Sequence, residues 1–391
     1  MTKRNVLLTL MLIFICGCLS YGAGFSVYLL QERAQINHAF DVFWEAWDRV
    51  EDYFYGDLPT RQERTYGAIR GALALLGDPY TTFVEPQPRE LERDRMRGYF
   101  GGIGVAIQKD DDGQVLLSPY PDSPAERAGV LEGDVLLAVD DHMVTDTTSL
   151  DTVKAWIRGE VGTMLRITIS RPPTPPFDLS IEREEIQTPS VVWRPLEQDP
   201  SIAYIQIARF TERTGDEVIA ALEELLRENH CKAVLLDLRD NSGGLIPTAV
   251  TTVSQFLGEG DVMIESSRKG PERVVLVESG GQAITLPLAV LVNGGTASAA
   301  EIVAGALQAH QRAPLIGETT FGKGSVQLIY DLSDGSSLHI TSAIWLTPDR
   351  RPLEGQGLTP DILVSRRNGA QNETEDAQME RAITYLQTEM P

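Results

Sequence analysis

Two motifs in the second half of the chain carry side chains that could act together as a nucleophile and its base. Ser298 follows an apolar run and the turn Asn293-Gly294-Gly295-Thr296, and it opens an Ala-rich run that predicts a helix. At a helix N-terminus, unpaired backbone N–H groups favour developing negative charge, and a serine there becomes a nucleophile when a base removes its proton. Lys323 lies further along between two glycines. A buried lysine that has lost its proton can be that base.

The same two residues also fit a purely structural interpretation, in which Ser298 caps the helix and Lys323 is a solvated loop charge. However, Asn293–Ile302 resembles the nucleophile motif of the carboxyl-terminal processing proteases, peptidase family S41, and Phe321–Gln327 resembles the base motif of that family. The resemblance implies that Ser298 is the nucleophile, that Lys323 is the general base and that Gln327 orients the lysine. If this segment is a strand, an offset of four places Gln327 on the same face as Lys323.

A pair of glycines follows a predicted apolar strand that ends near Leu238. The run Asp237–Leu245 resembles the oxyanion loop of the same family, because glycines let backbone N–H groups approach a tetrahedral oxyanion closely. The resemblance implies that Gly243 or Gly244, together with the N–H group of Ala299, supplies the donors. A plain turn after a strand would fit the same glycines.

Two other nucleophile–base arrangements remain open on the sequence. Ser242 lies in a run, Asp240-Asn241-Ser242-Gly243-Gly244, that superficially matches trypsin-like proteases. Such enzymes need an upstream histidine and aspartate on β-barrels, whereas the pattern here is a strand followed by a helix. Alternatively, His310 or His339 could act as the base for Ser298.

A second region of the chain is typical of a peptide-binding module. From Gly98 onward, short strands and turns alternate with two short helices, and this order resembles a PDZ domain over residues 98–183. In such domains a peptide adds as a strand to a sheet edge, and a Gly-rich loop binds its terminal carboxylate. Gly102, Ile103 and Gly104 would form that loop, beside a helix at Leu150–Ile157. The alternative is that these glycines only permit a tight turn.

The elements that must position these motifs predict a multidomain α/β protein. Residues 184–366 alternate strands with helices, which indicates an α/β core, and the resemblance implies that it is an S41-type protease core with a mixed sheet. Residues 35–97 are predicted to be largely helical, with an aromatic stripe and a charged, solvated linker at Glu90–Arg97. The proline-rich run Arg171–Pro176 predicts an exposed loop. Residues 367–391 form a polar tail with a short helix.

The N-terminus predicts a membrane anchor. Val6–Leu30 contains no charged residue and follows Lys3 and Arg4, so residues 1–34 can span a bilayer with the body outside the cytoplasm. A cleaved signal peptide that ends near Ala23 is the alternative.

Composition excludes several classes of function. The chain has 391 residues, of which 42% are hydrophobic and 23% charged, as in ordinary globular proteins. The net charge of −22 argues against nucleic acid as a partner. The sequence contains no Cys/His cluster, so we expect neither a metal nor another cofactor, and Cys231 is the single cysteine of the body.

Together these observations predict a membrane-anchored serine endopeptidase with a Ser-Lys dyad. It would cut proteins near their C-termini after the PDZ-like domain has bound the substrate's tail. The alternative from another functional class is a noncatalytic PDZ scaffold with a vestigial protease fold.

Overall fold

The structure, a computed structural model, describes residues 40–228, 230–365 and 376–390. The chain forms two compact units, residues 1–71 and 72–391. The predicted anchor, Val6–Leu30, lies outside the described residues, as does the polar stretch 367–375. Among the helices of the described ranges, none combines the length and the apolar character that crossing a membrane requires.

The described part of the first unit is helical, as predicted. Helix α1 covers residues 40–53, and helix α2, Arg61–Ala74, starts in this unit. Arg64 pairs with Glu51 at 2.6 Å and lies 4.9 Å from the centroid of the Trp47 ring. Trp44 nevertheless stays 51% exposed, so contacts within this unit cover the aromatic stripe only in part.

A short strand and a helix begin the described elements of the second unit, β1 at Thr82–Val84 and α3 at Pro86–Arg97. The prediction of a solvated linker at Glu90–Arg97 is wrong, because these residues belong to α3. Prolines in the first turn favour the start of this helix, and Gly98 ends it with a φ of 78°. Arg89 is buried and donates to Asp331 at 2.9 Å, which fixes the helix to the body of the unit.

The PDZ-like region contains a six-stranded antiparallel sheet with two helices. Its elements are β2 Tyr99–Gly102, β3 Val105–Lys109, β4 Val115–Pro119, α4 Pro124–Arg127, β5 Asp134–Val139, β6 His142–Met143, α5 Leu150–Ile157, β7 Met164–Arg171, β8 Thr174–Glu182 and β9 Glu184–Gln187. The sheet order is β3-β4-β5-β7-β8, and β6 pairs with β5. A separate ladder joins β2 to β9. Thus the strand that leads into this region pairs with a strand just beyond residue 183.

The proline-rich run does not form a separate loop. Pro172 and Pro173 make a tight hairpin turn, and Pro175 and Pro176 already belong to β8. Because β8 is an edge strand of its sheet, prolines that cannot donate a ladder hydrogen bond are tolerated there. The predicted exposure of this run is correct.

The α/β core consists of two sheets and the helices that cover them. Its elements are β10 Val191–Pro195, β11 Ile202–Ile207, α6 Thr214–Glu223 with a π-helical turn Glu224–Glu228, β12 Ala233–Asp237, α7 Ile246–Ser254, β13 Asp261–Ser267, β14 Arg273–Leu276, β15 Leu288–Val292, α8 Ala299–Ala309, β16 Leu315–Gly317, β17 Ser325–Asp331, β18 Ser337–Leu346, β19 Ile362–Leu363 and α9 Ala377–Glu389. The larger sheet has the order β10-β11-β12-β15-β16-β19, with β10 antiparallel and the other strands parallel. The second sheet is antiparallel, with the order β1-β18-β13-β14 and β17 paired to β18.

Both faces of the larger sheet are covered, which explains why β12 and β15 are apolar without alternation. Val290 and Leu236 pack into a core with α6, α7 and α8, whereas Leu235 and Leu291 pack beneath the C-terminal helix α9. The mixed α/β core that the sequence predicts is confirmed.

Candidate active site

Three loops of the core meet at one edge of the larger sheet. They follow β12, β15 and β16, which are parallel neighbours, so their carboxyl ends lie side by side. The glycine motif follows β12, the serine motif follows β15 and the lysine motif follows β16. Loops at the carboxyl ends of parallel strands are the usual place for a binding site in an α/β fold.

The serine loop is tied to the glycine loop by side-chain and backbone hydrogen bonds. The Asn293 amide donates to Asp240 Oδ1 at 2.9 Å, and Asn293 Oδ1 accepts from the Asp240 N–H group at 2.9 Å. Thr296 is fully buried, and its hydroxyl donates to the carbonyl of Leu238 at 2.8 Å. Thr296 therefore holds the serine loop in place.

Ser298 occupies a strained position at the start of α8. Its φ of 55° and ψ of −119° lie in a region that non-glycine residues rarely adopt. Strain of this kind persists only where surrounding contacts enforce it, and it accumulates at functional sites. A sharp strand-to-helix turn presents the serine side chain at the top of the sheet in α/β-hydrolases.

The buried carboxylate of Glu301 connects the serine motif to the lysine motif. Glu301 Oε2 accepts from the N–H group of Ser298 at 2.9 Å and from that of Lys323 at 2.9 Å. Its Oε1 accepts from the Thr320 hydroxyl at 2.5 Å and from the Gly322 N–H group at 2.7 Å. The amide nitrogens of the two predicted dyad residues therefore lie within two hydrogen-bond lengths of each other.

Lys323 has an environment that favours its neutral form. Burial lowers the pKa of Lys323, although the carboxylates of Glu354 and Glu92 act in the opposite direction. Its Nζ atom donates to Gln327 Oε1 at 3.2 Å and lies 5.0 Å from the centroid of the Tyr80 ring. Gln327 in turn donates to the carbonyl of Tyr80 at 2.5 Å.

Gln327 contacts Lys323, but the two residues do not lie on one face of a strand as the sequence predicts. Strand β17 begins only at Ser325, and a bulge between Val326 and Gln327 interrupts its pairing with β18. The lysine is thus outside the strand. Its Nζ atom bonds to Gln327, and no hydrogen bond joins it to the Ser298 hydroxyl in this state.

The two glycines of the predicted oxyanion motif differ in the hydrogen bonding of their N–H groups. A Cβ atom on Gly243 would lie 2.7 Å from Ser298 Cβ and 3.0 Å from the Ala299 nitrogen, so only glycine allows this close approach. The Gly243 N–H group donates to Asn241 Oδ1 at 2.8 Å. By contrast, the N–H groups of Gly244 and Ala299 donate to no other part of the chain that the structure describes.

The PDZ-like region contains a groove of about 850 Å³ next to its first long strand. Gly104 and residues 105–107 line one side, and Lys154 and Ile157 of α5 lie on the other. Gly104 is the one residue of the predicted carboxylate loop whose position lines the groove. The Ile103 side chain is buried in the domain core, and Gly102 is paired with Glu184 in the β2–β9 ladder.

The alternative bases for Ser298 are engaged elsewhere. His310 Nε2 bonds with the carbonyl of Asp261 at 2.8 Å. His339 is buried and lies 3.1 Å from the Ser337 hydroxyl and 3.3 Å from a Glu92 oxygen. Neither histidine contacts Ser298, so the geometry does not favour a serine–histidine arrangement.

The sequence analysis missed two residues that contact the site. Glu301 lies within the predicted nucleophile motif without a predicted role, although a glutamate three residues after a helix-starting serine is a signature of a capping box. Tyr80 lies far away in the sequence and no local pattern indicates its contact with Lys323.

Within the described ranges, no cluster of His, Cys, Asp and Glu could hold a metal ion.

Comparisons with known proteins agree with this architecture. Residues 201–364 match peptidase family S41, and residues 115–171 match the PDZ domain. A carboxy-terminal-processing protease of Bartonella bacilliformis is 36% identical over 329 residues, which cover 83% of this chain and 74% of the relative. The carboxy-terminal processing protease CtpA of Bacillus subtilis is 34% identical over 323 residues, with 83% and 68% covered.

A plant relative extends the similarity beyond bacteria. The chloroplastic carboxyl-terminal-processing peptidase 2 of Arabidopsis thaliana is 35% identical over 345 residues, which cover 84% of this chain and 66% of the relative. Each of these three matches covers more than four-fifths of this chain. The chain belongs to peptidase family S41, the carboxy-terminal-processing serine proteases, and it carries the PDZ domain of that family.

Proposed function

We propose that this peptidase cleaves proteins near their C-termini with a Ser-Lys dyad formed by Ser298 and Lys323. The observation that supports the proposal most is the shared hydrogen bonding of both residues to Glu301, at 2.9 Å from each N–H group. A nucleophile at a strained helix start and a lysine with a lowered pKa are the two groups that such a reaction needs.

In the proposed reaction, Ser298 Oγ attacks the peptide carbonyl carbon while neutral Lys323 takes its proton. The carbonyl oxygen becomes an oxyanion, and the N–H groups of Gly244 and Ala299 are free to stabilise it. Collapse of the tetrahedral intermediate breaks the C–N bond, and Lys323 returns its proton to the leaving amine. Water then hydrolyses the acyl-enzyme by the same steps.

Gln327 positions the lysine in this proposal. Its side chain holds Lys323 Nζ at 3.2 Å and is itself fixed by the carbonyl of Tyr80. Hydrogen bonds between catalytic groups are often incomplete before substrate binds. In this proposal, a rotation of the Lys323 side chain then brings its Nζ atom to the Ser298 hydroxyl. Gly243 contributes the space beside Ser298, and it becomes an oxyanion donor only if its bond to Asn241 opens.

The PDZ groove is the proposed binding site for the tail of a protein substrate. A peptide strand that pairs with the exposed edge beside residues 105–107 would direct its terminal carboxylate toward the loop Gly102-Ile103-Gly104. Lys154, which also lines the groove, adds a positive charge that attracts a carboxylate.

Residues 1–34 are the proposed membrane anchor, with the catalytic body outside the cytoplasm. The support is the uncharged run Val6–Leu30 behind Lys3 and Arg4. We expect the native protein to remain in the membrane pellet after alkaline carbonate extraction, because a spanning helix resists high pH and salt. Release of the full-length protein into the supernatant would contradict an anchor.

Replacing either dyad residue tests the proposed chemistry. Ser298→Ala and Lys323→Ala should each lower kcat on a protein substrate by about 10⁴-fold or more, because each removes a group that acts in the transition state. The measurement is single-turnover cleavage by the purified full-length protein. Ser242→Ala, which removes an exposed hydroxyl in the neighbouring loop, is the matched control and should keep wild-type turnover.

Binding and labelling separate a peptidase from a noncatalytic scaffold. The Ser298→Ala protein should still bind a peptide with a free C-terminus and should bind its amidated form more weakly. A serine-directed phosphonate should label Ser298 in the wild-type protein. Full turnover in either dyad variant, or a wild-type protein that is not labelled, would contradict the proposed function.

The rate should rise with pH as Lys323 loses its proton. Because burial lowers the pKa of Lys323, we expect the midpoint below the ordinary lysine value of about 10.4. The profile of kcat/KM between mildly acidic and alkaline pH measures this midpoint. A rate that stays constant across that range would speak against a lysine base.

Replacing Glu301 tests whether its carboxylate positions the dyad. In Glu301→Gln an NH₂ group replaces one acceptor oxygen and opposes two of the four donors, so the two motifs should separate slightly. A displacement of about 1 Å can lower a rate by about 10²-fold, and we expect that loss in kcat with little change in KM.

The matched control is Glu259→Gln, which makes the same exchange at an exposed position. Thermal melting establishes that both variants are folded at the assay temperature. A folded Glu301→Gln protein with wild-type kcat and pH profile would show that the carboxylate does not position the dyad.

A further inference from the structure

Three arginines line one pocket where the PDZ domain meets the protease core. The pocket has a volume of about 360 Å³ and is distinct from the peptide groove, although the two adjoin. Arg95 comes from α3, Arg158 follows α5, and Arg209 lies in the loop after β11. All three segments belong to the second compact unit.

The pocket has an excess of positive charge that the surrounding residues neutralise only in part. Asp94 is the single acidic residue among those that line it. Burial raises the pKa of its carboxyl group and the charge of Arg158 acts in the opposite direction, so one carboxylate faces three guanidinium groups. Arg158 lies 4.2 Å from the centroid of the Phe100 ring, which is a cation–π contact. In the described part of the chain, none of the three arginines forms an ion pair within 4 Å.

Arg209 is the unusual member of this group. It is partly buried. Burial and the nearby charge of Arg95 lower its pKa, whereas Glu92 acts in the opposite direction, so its charged form is less stable there than in water. Other buried arginines of the same unit have partners. Arg239 bonds to Asp237 and Asp376, and Arg312 donates to three backbone carbonyls.

The contrast with the rest of the protein suggests a ligand. A chain with a net charge of −22 has carboxylates available, yet Asp94 is the one carboxylate that lines the pocket beside the three guanidinium groups. Like charges in a partly buried site repel each other, and an anion that accepts hydrogen bonds from them removes that repulsion. Guanidinium groups bind planar carboxylates and phosphates through two parallel hydrogen bonds.

The pocket opens toward the peptide groove. Phe100, Arg158, Thr188 and Pro189 line both cavities. An extended peptide in the groove therefore passes within side-chain reach of the arginines, and an acidic side chain of that peptide could enter the pocket.

We propose that Arg95, Arg158 and Arg209 form a binding site for an anionic oxygen ligand, separate from the catalytic centre. The ligand is either the carboxylate of an acidic side chain on a bound substrate peptide or a free oxyanion such as inorganic phosphate. Binding of a substrate carboxylate rests on the proposed function, because it requires a substrate peptide in the PDZ groove. Binding of a free oxyanion does not depend on the proposed function.

The test uses full-length protein in the Ser298→Ala background, so that no peptide is cleaved. Inorganic phosphate is titrated by calorimetry at constant ionic strength. In parallel, fluorescent peptides with free C-termini are compared in pairs that differ only by Glu or Gln at each of the last four positions.

Arg209→Gln removes the partly buried charge, and Arg95→Gln removes an exposed one at lower risk to folding. Arg268→Gln, at an exposed turn, is the matched control.

We expect at least one ligand to bind about tenfold more weakly to both pocket variants than to the Arg268→Gln control. Saturable phosphate binding with this pattern assigns the site to a free oxyanion. A Glu-over-Gln preference that both pocket variants lose assigns it to the substrate. Equal binding by all three variants, or no phosphate binding together with no Glu preference, would overturn the proposal. If peptides fail to bind while phosphate binding follows the pattern, the tail-binding function fails and the anion site stands.

Discussion

The carboxylate of Glu301 is the interaction on which the catalytic region depends. It is fully buried, and a buried carboxylate is stable only when hydrogen bonds replace its lost water. Its four donors come from the start of α8 and from the loop after β16. Moving either segment away would leave a buried charge unsatisfied, so the serine and lysine motifs behave as one structural unit although a helix and a strand separate them in the chain.

Two further constraints give this unit its chemical character. The parallel order of β12, β15 and β16 brings the glycine, serine and lysine loops to one sheet edge. The buried Trp345 donates its indole N–H to the carbonyl of Lys323 at 3.1 Å, which keeps the lysine loop against the second sheet. The packing that fixes the lysine also removes water from it, and this desolvation lowers its pKa.

Much of the architecture could be predicted because it depends on local patterns. Apolar runs without alternation predicted β12 and β15, and turn residues marked the loops after them. The segment Glu90–Arg97 was wrongly predicted as a solvated linker, because its charge density conceals a helix that starts at prolines and ends at Gly98. The contact of Lys323 with Gln327 was predicted from strand alternation, yet it exists through a bulge, so a correct contact came from an incorrect premise.

What the sequence could not provide are contacts between distant segments. The approach of Tyr80 to Lys323 and the four bonds of Glu301 depend on tertiary packing that no local pattern encodes. Likewise, the difference between the N–H groups of Gly243 and Gly244 depends on the Asn241 side chain, whose Oδ1 accepts a hydrogen bond from Gly243. Sequence resemblance identifies such loops, whereas the hydrogen bonds within the folded chain determine which N–H groups remain available as donors.

The Ser298–Lys323 dyad is tested most directly by a crystal structure of the protein with a peptidyl boronate bound to Ser298. The quantity to measure is the distance between Ser298 Oγ and Lys323 Nζ. We predict a separation of about 3 Å, within hydrogen-bonding reach, with Glu301 still bound to both backbone N–H groups. A reacted serine whose oxygen lies far from Nζ, while the lysine stays on Gln327, would contradict the proposed dyad.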